Sequence, residues 1–441
     1  MSAVGIIAEY NPFHNGHAYQ IREARRLSDA RHVIAIISGD FVQRGAPALM
    51  DKYTRTQMAL KAGADLVLEL PCTAAVSSAE TFARCGVSIL NGLGVVTHLS
   101  FGCEADDNAF RRILTPAARI LAEEPQPYRF RLKNALKEGR TFPAAREEAL
   151  CACLTDRETA TPAGLSEAFA ESPAPGLSDD RIEPDCLRGV LRSPNNILAI
   201  EYLKALHFAR CSIEPVPVRR IGDSYHAQSP TGRFTSATAL RELLRGQKDL
   251  SVIRPYVPES VFPDYRRYAE ATPLLYAQDF SVLVHYALLM KLSGGSLEQS
   301  DHSDLARRAA KLLEAYTGFD SYAAELKTKD RTLTSVNRFL IRTLLQIQKP
   351  EENALDACDF APYARILGFR KSASSLLRAI HTSARIPVIT SLAEAKRNHI
   401  LSPNVRCLLD ADIRAAALYH IPLSERTGHS FNEFRQPLIC L

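Results

Sequence analysis

An apolar run near the start of the chain is followed by a proline break and then by a helical pattern. Residues 4–8 (Val-Gly-Ile-Ile-Ala) are apolar throughout, as expected of a strand buried on both faces of a parallel sheet. Asn11-Pro12 interrupts this run, because the residue before a proline disfavours the helical conformation. From Asn15 the apolar residues recur with a helical period. The pattern therefore predicts a strand, a tight turn and a helix.

Two histidines, His14 and His17, lie at this predicted turn. Because they are spaced i and i+3, they can share one face of the first helical turn. A helix N-terminus attracts anions through its free N–H groups and its dipole. Two imidazoles there would add donors suited to a polyphosphate whose charge grows during a reaction. The alternative is a pair of ordinary histidines at a helix start.

Composition limits the class of protein. The chain has 441 residues, of which 46% are hydrophobic and 23% charged, so two or three globular domains are expected. It shows neither an apolar run of membrane-spanning length nor a signal-peptide pattern, and we expect a cytoplasmic protein without a membrane partner. Its ten cysteines form no CxxC pair, which favours reduced thiols and no metal site. A net charge of +5 permits a nucleic-acid partner without requiring one.

Three more strand patterns, at 32–40, 66–71 and 95–101, alternate with helical patterns. This alternation predicts an α/β, Rossmann-like domain with a parallel sheet. Ligands bind beyond the carboxyl ends of such strands, where Ser38 to Asp40, Glu69 and Gly102 would lie. Gly102 suggests either a close approach of backbone to the ligand or a plain turn.

The later part of the chain changes character twice. Residues 155–185 are rich in Ala, Ser, Thr, Pro and acids, which predicts a flexible insertion. A further strand pattern, at 213–218, ends in Arg219-Arg220, either a phosphate clamp or a solvated basic turn. We therefore expect an ATP-binding domain over 1–248 and a mainly α-helical domain over 249–441.

The predicted helical domain carries many basic residues. Some precede or lie on a helix near 333–348, and others, including Arg365, flank Ile366 to Phe369. They could form a face that binds RNA phosphates, although a solvated helix face is the alternative. The candidate RNA-binding residues are Arg331, Arg338, Arg342, Arg370 and Lys371.

Two motifs carry a resemblance to a known superfamily. Phe13-His14-Asn15-Gly16-His17 resembles the HxGH signature of the class I nucleotidyltransferases and aminoacyl-tRNA synthetases. The resemblance implies that both histidines bind ATP phosphates and stabilise the transition state of adenylyl transfer. Ser236-Ala237-Thr238-Ala239-Leu240-Arg241 resembles the second ATP signature, in which a Ser/Thr-rich turn and a basic residue hold the triphosphate.

Six segments together resemble the bacterial tRNA(Met) cytidine acetate ligases. They are residues 9–17, 38–45, 68–71, 100–102, 193–198 and 236–241. The resemblance implies that ATP and acetate give acetyl-adenylate and pyrophosphate, without acetyl-CoA. The acetyl group would then pass to N4 of the wobble cytidine of elongator tRNA(Met). Two positions depart from the family pattern, since the family usually has an acidic residue at Ala46 and Asn or Tyr at Asp40.

The resemblance also implies site residues. His14 and His17 would be catalytic, and the basic residues of the second domain would bind tRNA. Mg²⁺ would accompany the ATP, although the sequence shows no dedicated ligands for it. The implied ATP contacts are Ile7, Ala8, Glu9, Tyr10, Asn11, Pro12, Phe13, His14, Asn15, Gly16, His17, Ala18, Tyr19, Gln20, Gly102, Asn195, Arg220, Ser236 and Arg241.

Two other functions share these features. One is an HxGH adenylyltransferase acting on a small cofactor precursor, and the other is a non-catalytic tRNA-binding protein with a relic nucleotide site. The intact motif residues argue against the relic, and the large basic second domain argues against the cofactor enzyme. The sequence leaves open the oligomeric state, the acetate-binding residue and the choice of Asn195 or Asn196 and of Arg219 or Arg220 as contacts.

Overall fold

The computed structural model describes residues 2–155, 184–220, 234–247, 249–293, 303–397 and 401–441. Almost all of the predicted insertion at 155–185 lies outside these residues. Contacts divide the chain into two compact units, one formed by Met1–Phe101 with Ser212–Leu441 and the other by Gly102–Cys211. No helix within the described ranges is both long and apolar enough to cross a membrane.

An eight-stranded sheet organises the first unit. Its strands are β1 (Ala3–Ala8), β2 (His32–Ser38), β5 (Leu66–Leu70), β6 (Val96–Cys103), β7 (Glu214–Arg219), β8 (Ala364–Phe369), β9 (Val388–Ile389) and β10 (Ile439–Cys440). The order is β10-β8-β5-β2-β1-β6-β7, with β9 also on β8. Strand β1 pairs in parallel with β2 and β6, and β2 with β5, which confirms the predicted parallel α/β sheet. Strands β3 (Phe41–Val42) and β4 (Ala46–Pro47) form a separate hairpin.

Helices make up most of the remaining structure. They are α1 (Asn15–Ser28), α2 (Lys52–Lys61), α3 (Cys72–Ala75), α4 (Ala79–Gly92), α5 (Asp107–Ala109), α6 (Thr115–Glu123), α7 (Gln126–Lys137), α8 (Phe142–Thr155), α9 (Pro184–Arg192), α10 (Pro194–Ala209), α11 (Ala237–Leu244), α12 (Phe262–Ala271), α13 (Ser281–Ser293), α14 (Ser303–Leu312), α15 (Phe319–Leu326), α16 (Leu333–Leu344), α17 (Lys349–Ala357), α18 (Ser374–Ser383), α19 (Leu392–Arg397) and α20 (Pro403–Thr427). In the second unit α10 packs on α6, and α7 packs on α8. The predominance of helix after residue 249 confirms that part of the fold prediction.

The core of the first unit contains the central strands, helices α1 and α2, and apolar residues between positions 240 and 268. Val4, Ile6 and Val33 are fully buried there, in one cluster with Ile253 and Tyr265. Their complete burial explains why these strands have apolar residues on both faces instead of an alternating pattern. Residues on both sides of position 248, where we predicted a domain boundary, belong to this one unit.

Strand β8 was not expected from the sequence. It pairs antiparallel with β5, so that Arg365 lies opposite Glu69, and it brings the C-terminal part of the chain onto the N-terminal sheet. Arg365, which we grouped with a basic surface, is only 5% exposed. Because its partner lies almost 300 residues earlier, no local pattern indicates this pairing.

Buried charges surround the contact between β5 and β8. Lys52 Nζ lies 2.8 Å from Glu69 Oε1 and 2.6 Å from Glu433 Oε1. The Arg365 guanidinium lies 2.6 Å from Glu69 Oε2 and 2.5 Å from Glu433 Oε1. Gly39 leaves room for this cluster, since a Cβ there would lie 2.5 Å from Glu69 Oε1. The ion pairs therefore join α2 and β5 to two C-terminal segments.

Candidate active site

The turn between β1 and α1 places His14 and His17 at the start of α1, as predicted. His14 has extended backbone angles and is the residue that caps the helix. Its Nδ1 accepts a hydrogen bond from the Gly16 N–H at 3.0 Å, and His17 Nδ1 accepts one from the His14 N–H at 3.3 Å. This reciprocal pair satisfies two N–H groups that a helix N-terminus otherwise leaves unpaired.

Burial and capping together determine the chemical state of both imidazoles. Burial lowers the pKa of His14 to about 3, with Arg220 and Arg241 adding to the shift. Burial, and then the neighbouring His14, lower the pKa of His17 well below its usual value. Both rings are therefore neutral at pH 7, and because each Nδ1 is an acceptor, each ring carries its proton on Nε2. The pair offers two neutral N–H donors.

Gly16 is required by the position of the His14 ring. A Cβ at residue 16 would lie 2.8 Å from His14 Cε1, closer than non-bonded carbon atoms come. The two imidazoles also stack on each other, with their centroids 3.8 Å apart. The glycine of the HxGH motif thus allows the first histidine to fold back over the helix start.

Two aromatic side chains support His17. The centroids of the Tyr10 and Phe13 rings lie 4.9 and 5.5 Å from that of His17, and both side chains are almost completely buried. Tyr10 has a φ of +50°, an uncommon backbone conformation for a residue with a side chain. Tyr265 donates a hydrogen bond from its hydroxyl to the carbonyl of Phe13. These contacts restrict the orientation of the second imidazole.

Polar side chains of the predicted motif brace the same turn. Asn11 Oδ1 accepts from the Leu49 N–H at 2.8 Å, and Asn15 Nδ2 donates to the Pro255 carbonyl at 3.0 Å. Glu9 Oε1 accepts from the Gln43 N–H at 2.9 Å. These side chains therefore hold the loop in shape through the contacts described.

The second predicted motif, residues 236–241, contacts the loop of the HxGH motif. Ser236 Oγ caps α11 by accepting from the Ala239 N–H at 3.0 Å. Arg241 Nη1 donates to the Asn11 carbonyl at 2.5 Å, across 230 residues of sequence. Its other terminal nitrogen donates to Thr238 Oγ1 at 3.1 Å.

Two predicted arginines, Arg220 and Arg241, lie near the histidines. Arg220, just beyond β7, is half-buried and lies near enough to lower the pKa of both imidazoles, whereas Arg219 is exposed. The structure thus brings His14, His17, Arg220 and Arg241 together.

The other predicted ATP contacts lie at several places. Ile7 and Ala8 end β1, and Ala18, Tyr19 and Gln20 are half-buried on α1. Two belong to the second unit, where Gly102 lies near the end of β6 and Asn195 lies in the first turn of α10. Within that unit Asn195 donates to the Glu104 carboxylate, while Asn196 Oδ1 accepts from the Glu104 N–H at 2.9 Å.

The predicted RNA-binding residues differ in accessibility. Lys371 is exposed, and Arg331, Arg338, Arg342 and Arg370 are half-buried. Arg342 donates to Ser77 Oγ at 2.8 Å and pairs with Glu352 at 2.5 Å. Arg338 donates to the Gln43 carbonyl at 3.4 Å, and Arg370 donates to the Leu60 carbonyl at 2.9 Å. Three of these side chains thus also hold the fold together.

Two residues near the site were not selected from the sequence. Arg44 lies in a segment that carries the family resemblance, and its Nη1 donates to Thr238 Oγ1 at 3.0 Å. Tyr265 lies about 250 residues from the turn that it contacts, and no local signal marks it. In the described ranges, His, Cys, Asp and Glu form no group of three or more arranged to hold a metal ion.

Comparison with known proteins covers nearly the whole chain. Residues 1–433 match the family described as HIGH Nucleotidyl Transferase. A tRNA(Met) cytidine acetate ligase of Acetivibrio thermocellus is 32% identical over 443 residues, covering 98% of this chain and 99% of the relative. Another, of Clostridium kluyveri, is 34% identical over 441 residues, covering 100% and 99%.

Solved structures agree with the sequence matches. The apo crystal structure of Thermotoga maritima TmcAL has a TM-score of 0.87 and 28% identity, and the match covers 100% of both chains. The same protein bound with alpha-thio ATP has a TM-score of 0.85 at the same identity and coverage. The predicted resemblance is confirmed: the chain belongs to the HIGH nucleotidyl transferase family and to the family of the tRNA(Met) cytidine acetate ligases.

Proposed function

We propose that the chain is an ATP-dependent ligase that acetylates N4 of the wobble cytidine of elongator tRNA(Met), using acetate. The observation that carries the proposal is the pair of neutral imidazoles at the start of α1, with Arg220 and Arg241 beside them. Neutral donors and cations at a helix N-terminus suit a nucleoside triphosphate. The names of the relatives supply the acetate and tRNA parts of the proposal.

In the first step an acetate oxygen attacks the α-phosphorus of ATP. The bond from this phosphorus to the bridging oxygen breaks, and the electron pair leaves with pyrophosphate, so no proton transfer is needed. Catalysis then depends on placing the reactants in line and on neutralising charge. His14 and His17 would donate from Nε2 to phosphate oxygens, and Arg220 and Arg241 would balance the charge of the leaving group. Mg²⁺ bound with the nucleotide would supply further neutralisation.

In the second step the N4 amine of cytidine attacks the acetyl carbon. The carbon–oxygen bond to AMP breaks, its electron pair leaves with the AMP phosphate, and water or that phosphate takes up the proton that the amine loses. The wobble base must leave the stack of the anticodon loop to reach the acetyl group, which is less costly in a single-stranded loop than in a duplex. We propose residues 249–441 as the tRNA-binding region, with Arg331, Arg338, Arg342, Arg370 and Lys371 near the phosphates, and the cytoplasm as the location.

The direct test combines the protein with ATP, radiolabelled acetate and bulk bacterial tRNA, without acetyl-CoA. We expect the label in N4-acetylcytidine of methionine tRNA and acetate-dependent exchange between ATP and pyrophosphate. Exchange that requires a different small molecule, with unlabelled tRNA, would instead indicate a cofactor adenylyltransferase. Complete absence of exchange, with tRNA still bound, would indicate a non-catalytic tRNA-binding protein.

A further inference from the structure

The hairpin of β3 and β4 places Arg44 at its tip. Phe41 pairs with Pro47 and Val42 with Ala46, leaving a turn of residues 43–45. Gly45 has a φ of +74°, and a Cβ there would lie 2.2 Å from the backbone nitrogen of Arg338 on α16. Only glycine satisfies both the backbone angle and the close approach of the helix. The close approach of α16 therefore restricts the conformation of the turn at Gly45.

The same turn is tied to the HxGH loop. The Gln43 N–H donates to Glu9 Oε1 at 2.9 Å, and Glu9 immediately follows β1. Arg55 Nη1 in turn donates to the Glu9 carbonyl at 2.7 Å. Arg44 is thus held at the carboxyl edge of the sheet, next to the loop that carries the histidines.

Arg44 and Arg241 share one acceptor. Arg44 Nη1 lies 3.0 Å and Arg241 Nη2 lies 3.1 Å from Thr238 Oγ1, so these two nitrogens are within about 6 Å of each other. Two guanidinium charges at this separation repel each other, and the repulsion is strongest where water is partly excluded. Both side chains are half-buried. A bound anion with several oxygens would relieve this repulsion.

We propose that Arg44 binds the triphosphate of ATP together with Arg241, and that Thr238 positions both guanidinium groups. This inference rests on the proposed ATP site and adds a residue to it. Arg241 is also held by the Asn11 carbonyl, so Thr238 sets the distance from Arg241 to Arg44. As the bond to the α-phosphorus breaks, the electron pair moves to pyrophosphate, and Arg44 would stabilise that charge.

Equilibrium binding of ATP and of AMP to the whole chain tests the proposal without acetate or tRNA. Arg44→Gln should weaken ATP binding about 10- to 100-fold, the range expected for charge-assisted hydrogen bonds, and should leave AMP binding within about twofold. The ATP affinity of Arg44→Lys should lie between those of the unaltered protein and Arg44→Gln, because an ammonium group keeps the charge but loses the planar geometry of the guanidinium. Arg266→Gln, at an exposed arginine on α12, is the matched control and should change neither affinity.

Other results would overturn the inference. An equal loss for ATP and AMP would mean that Arg44 only supports the turn, and unchanged ATP binding in a folded Arg44→Gln protein would exclude a phosphate contact. If Arg44→Gln selectively weakens ATP binding but the unaltered protein shows no acetate-dependent exchange, Arg44 binds the triphosphate and the proposed reaction is wrong.

Thr238 provides a second test. Thr238→Val removes the hydroxyl at nearly constant volume and should raise the KM for ATP about tenfold with a smaller change in kcat. Thr238→Ser keeps the hydroxyl oxygen and should have the same KM for ATP as the unaltered protein. A Val variant with the KM of the unaltered protein, or a Ser variant as impaired as Val, would contradict a positioning role.

Discussion

At the scale of single residues, the two histidines use different ring nitrogens for two purposes. The Nδ1 atoms accept backbone hydrogen bonds at the start of α1, and in the proposed reaction the Nε2–H groups donate to the triphosphate. Capping and the proposed catalytic role can therefore be separated by a suitable substitution, although both would depend on the same side chain.

His14→Asn should separate them. Asparagine is a good N-cap whose oxygen can accept from the Gly16 N–H, but it lacks the Nε2–H. We expect His14→Ala to lose about 1 kcal/mol of stability and His14→Asn to keep it. Acetate-dependent ATP–pyrophosphate exchange should fall about 100-fold in both, as for removal of a transition-state donor. Urea unfolding and exchange rates measure the two effects, and an active His14→Asn variant would rule out the donor role.

Gly16→Ala should also reduce activity without unfolding the protein. Alanine favours a helix over glycine by up to about 1 kcal/mol, but its Cβ would displace the His14 ring. The displaced ring would also lose its hydrogen bond from the residue 16 N–H, so the two effects on stability should offset each other to within about 1 kcal/mol. Exchange activity should fall at least about tenfold. Gly189→Ala, on α9, is the control, because a Cβ at residue 189 would have no neighbour within 4 Å, and this variant should keep normal activity. Full activity of Gly16→Ala would show that the ring tolerates the displacement.

At the scale of elements, β8 is attached to β5 through buried ions. Arg365 and Lys52 lie against Glu69 and Glu433, and Lys52 Nζ also lies 3.5 Å from Asp40 Oδ2, so removing Arg365 leaves uncompensated negative charge in the interior. The cost of such a charge is larger than the benefit of the original pair.

Arg365→Met should therefore lower the free energy of unfolding by about 3–5 kcal/mol. Combining it with Glu69→Gln should cost less than the sum of the two single changes, because the second removes the charge that the first leaves unpaired. Urea unfolding of the two single variants and the double variant gives the coupling. Strict additivity would show that the two side chains do not interact energetically.

The elements also show what local sequence can predict. Strands β1, β2 and β5 were expected because each is a largely apolar run bounded by turn residues, and α1 was expected from its period. Strands β6 and β7 were also expected, although polar residues or prolines interrupt their apolar patterns. Strand β8 has a similar apolar run, Ile366 to Phe369, but arginines on both sides suggested a surface. Arg365 is buried because Glu69 and Glu433 face it, and both partners are remote in sequence.

The candidate site likewise has features that local sequence predicts and features that it does not. His14 and His17 could be predicted because strand, turn and helix are adjacent in sequence, and Arg241 because its own motif is recognisable. The hydrogen bond from Arg241 to Asn11 and the approach of Arg44 to Thr238 depend on how distant segments fold together. Such contacts cannot be obtained from spacing alone.

At the scale of the whole molecule, the C-terminal half completes the N-terminal sheet. Residues 1–248 made alone would lack β8, and Glu69 and Lys52 would lose Arg365 and Glu433. We expect this fragment to unfold at a markedly lower urea concentration than the whole chain, or without cooperativity. A fragment with the urea midpoint of the whole chain would instead support an independent domain ending at 248.

The uncharged state of the stacked imidazoles has a consequence for turnover. A pair of imidazolium ions would hold pyrophosphate as firmly after the reaction as before it, and product departure would then slow each cycle. In the proposed reaction, neutral donors would bind the phosphate oxygens most strongly while negative charge builds on them, and more weakly once solvent shares that charge. In the proposed reaction, His14 and His17 would therefore add no positive charge to the binding of pyrophosphate, and its retention would depend on Arg220 and Arg241.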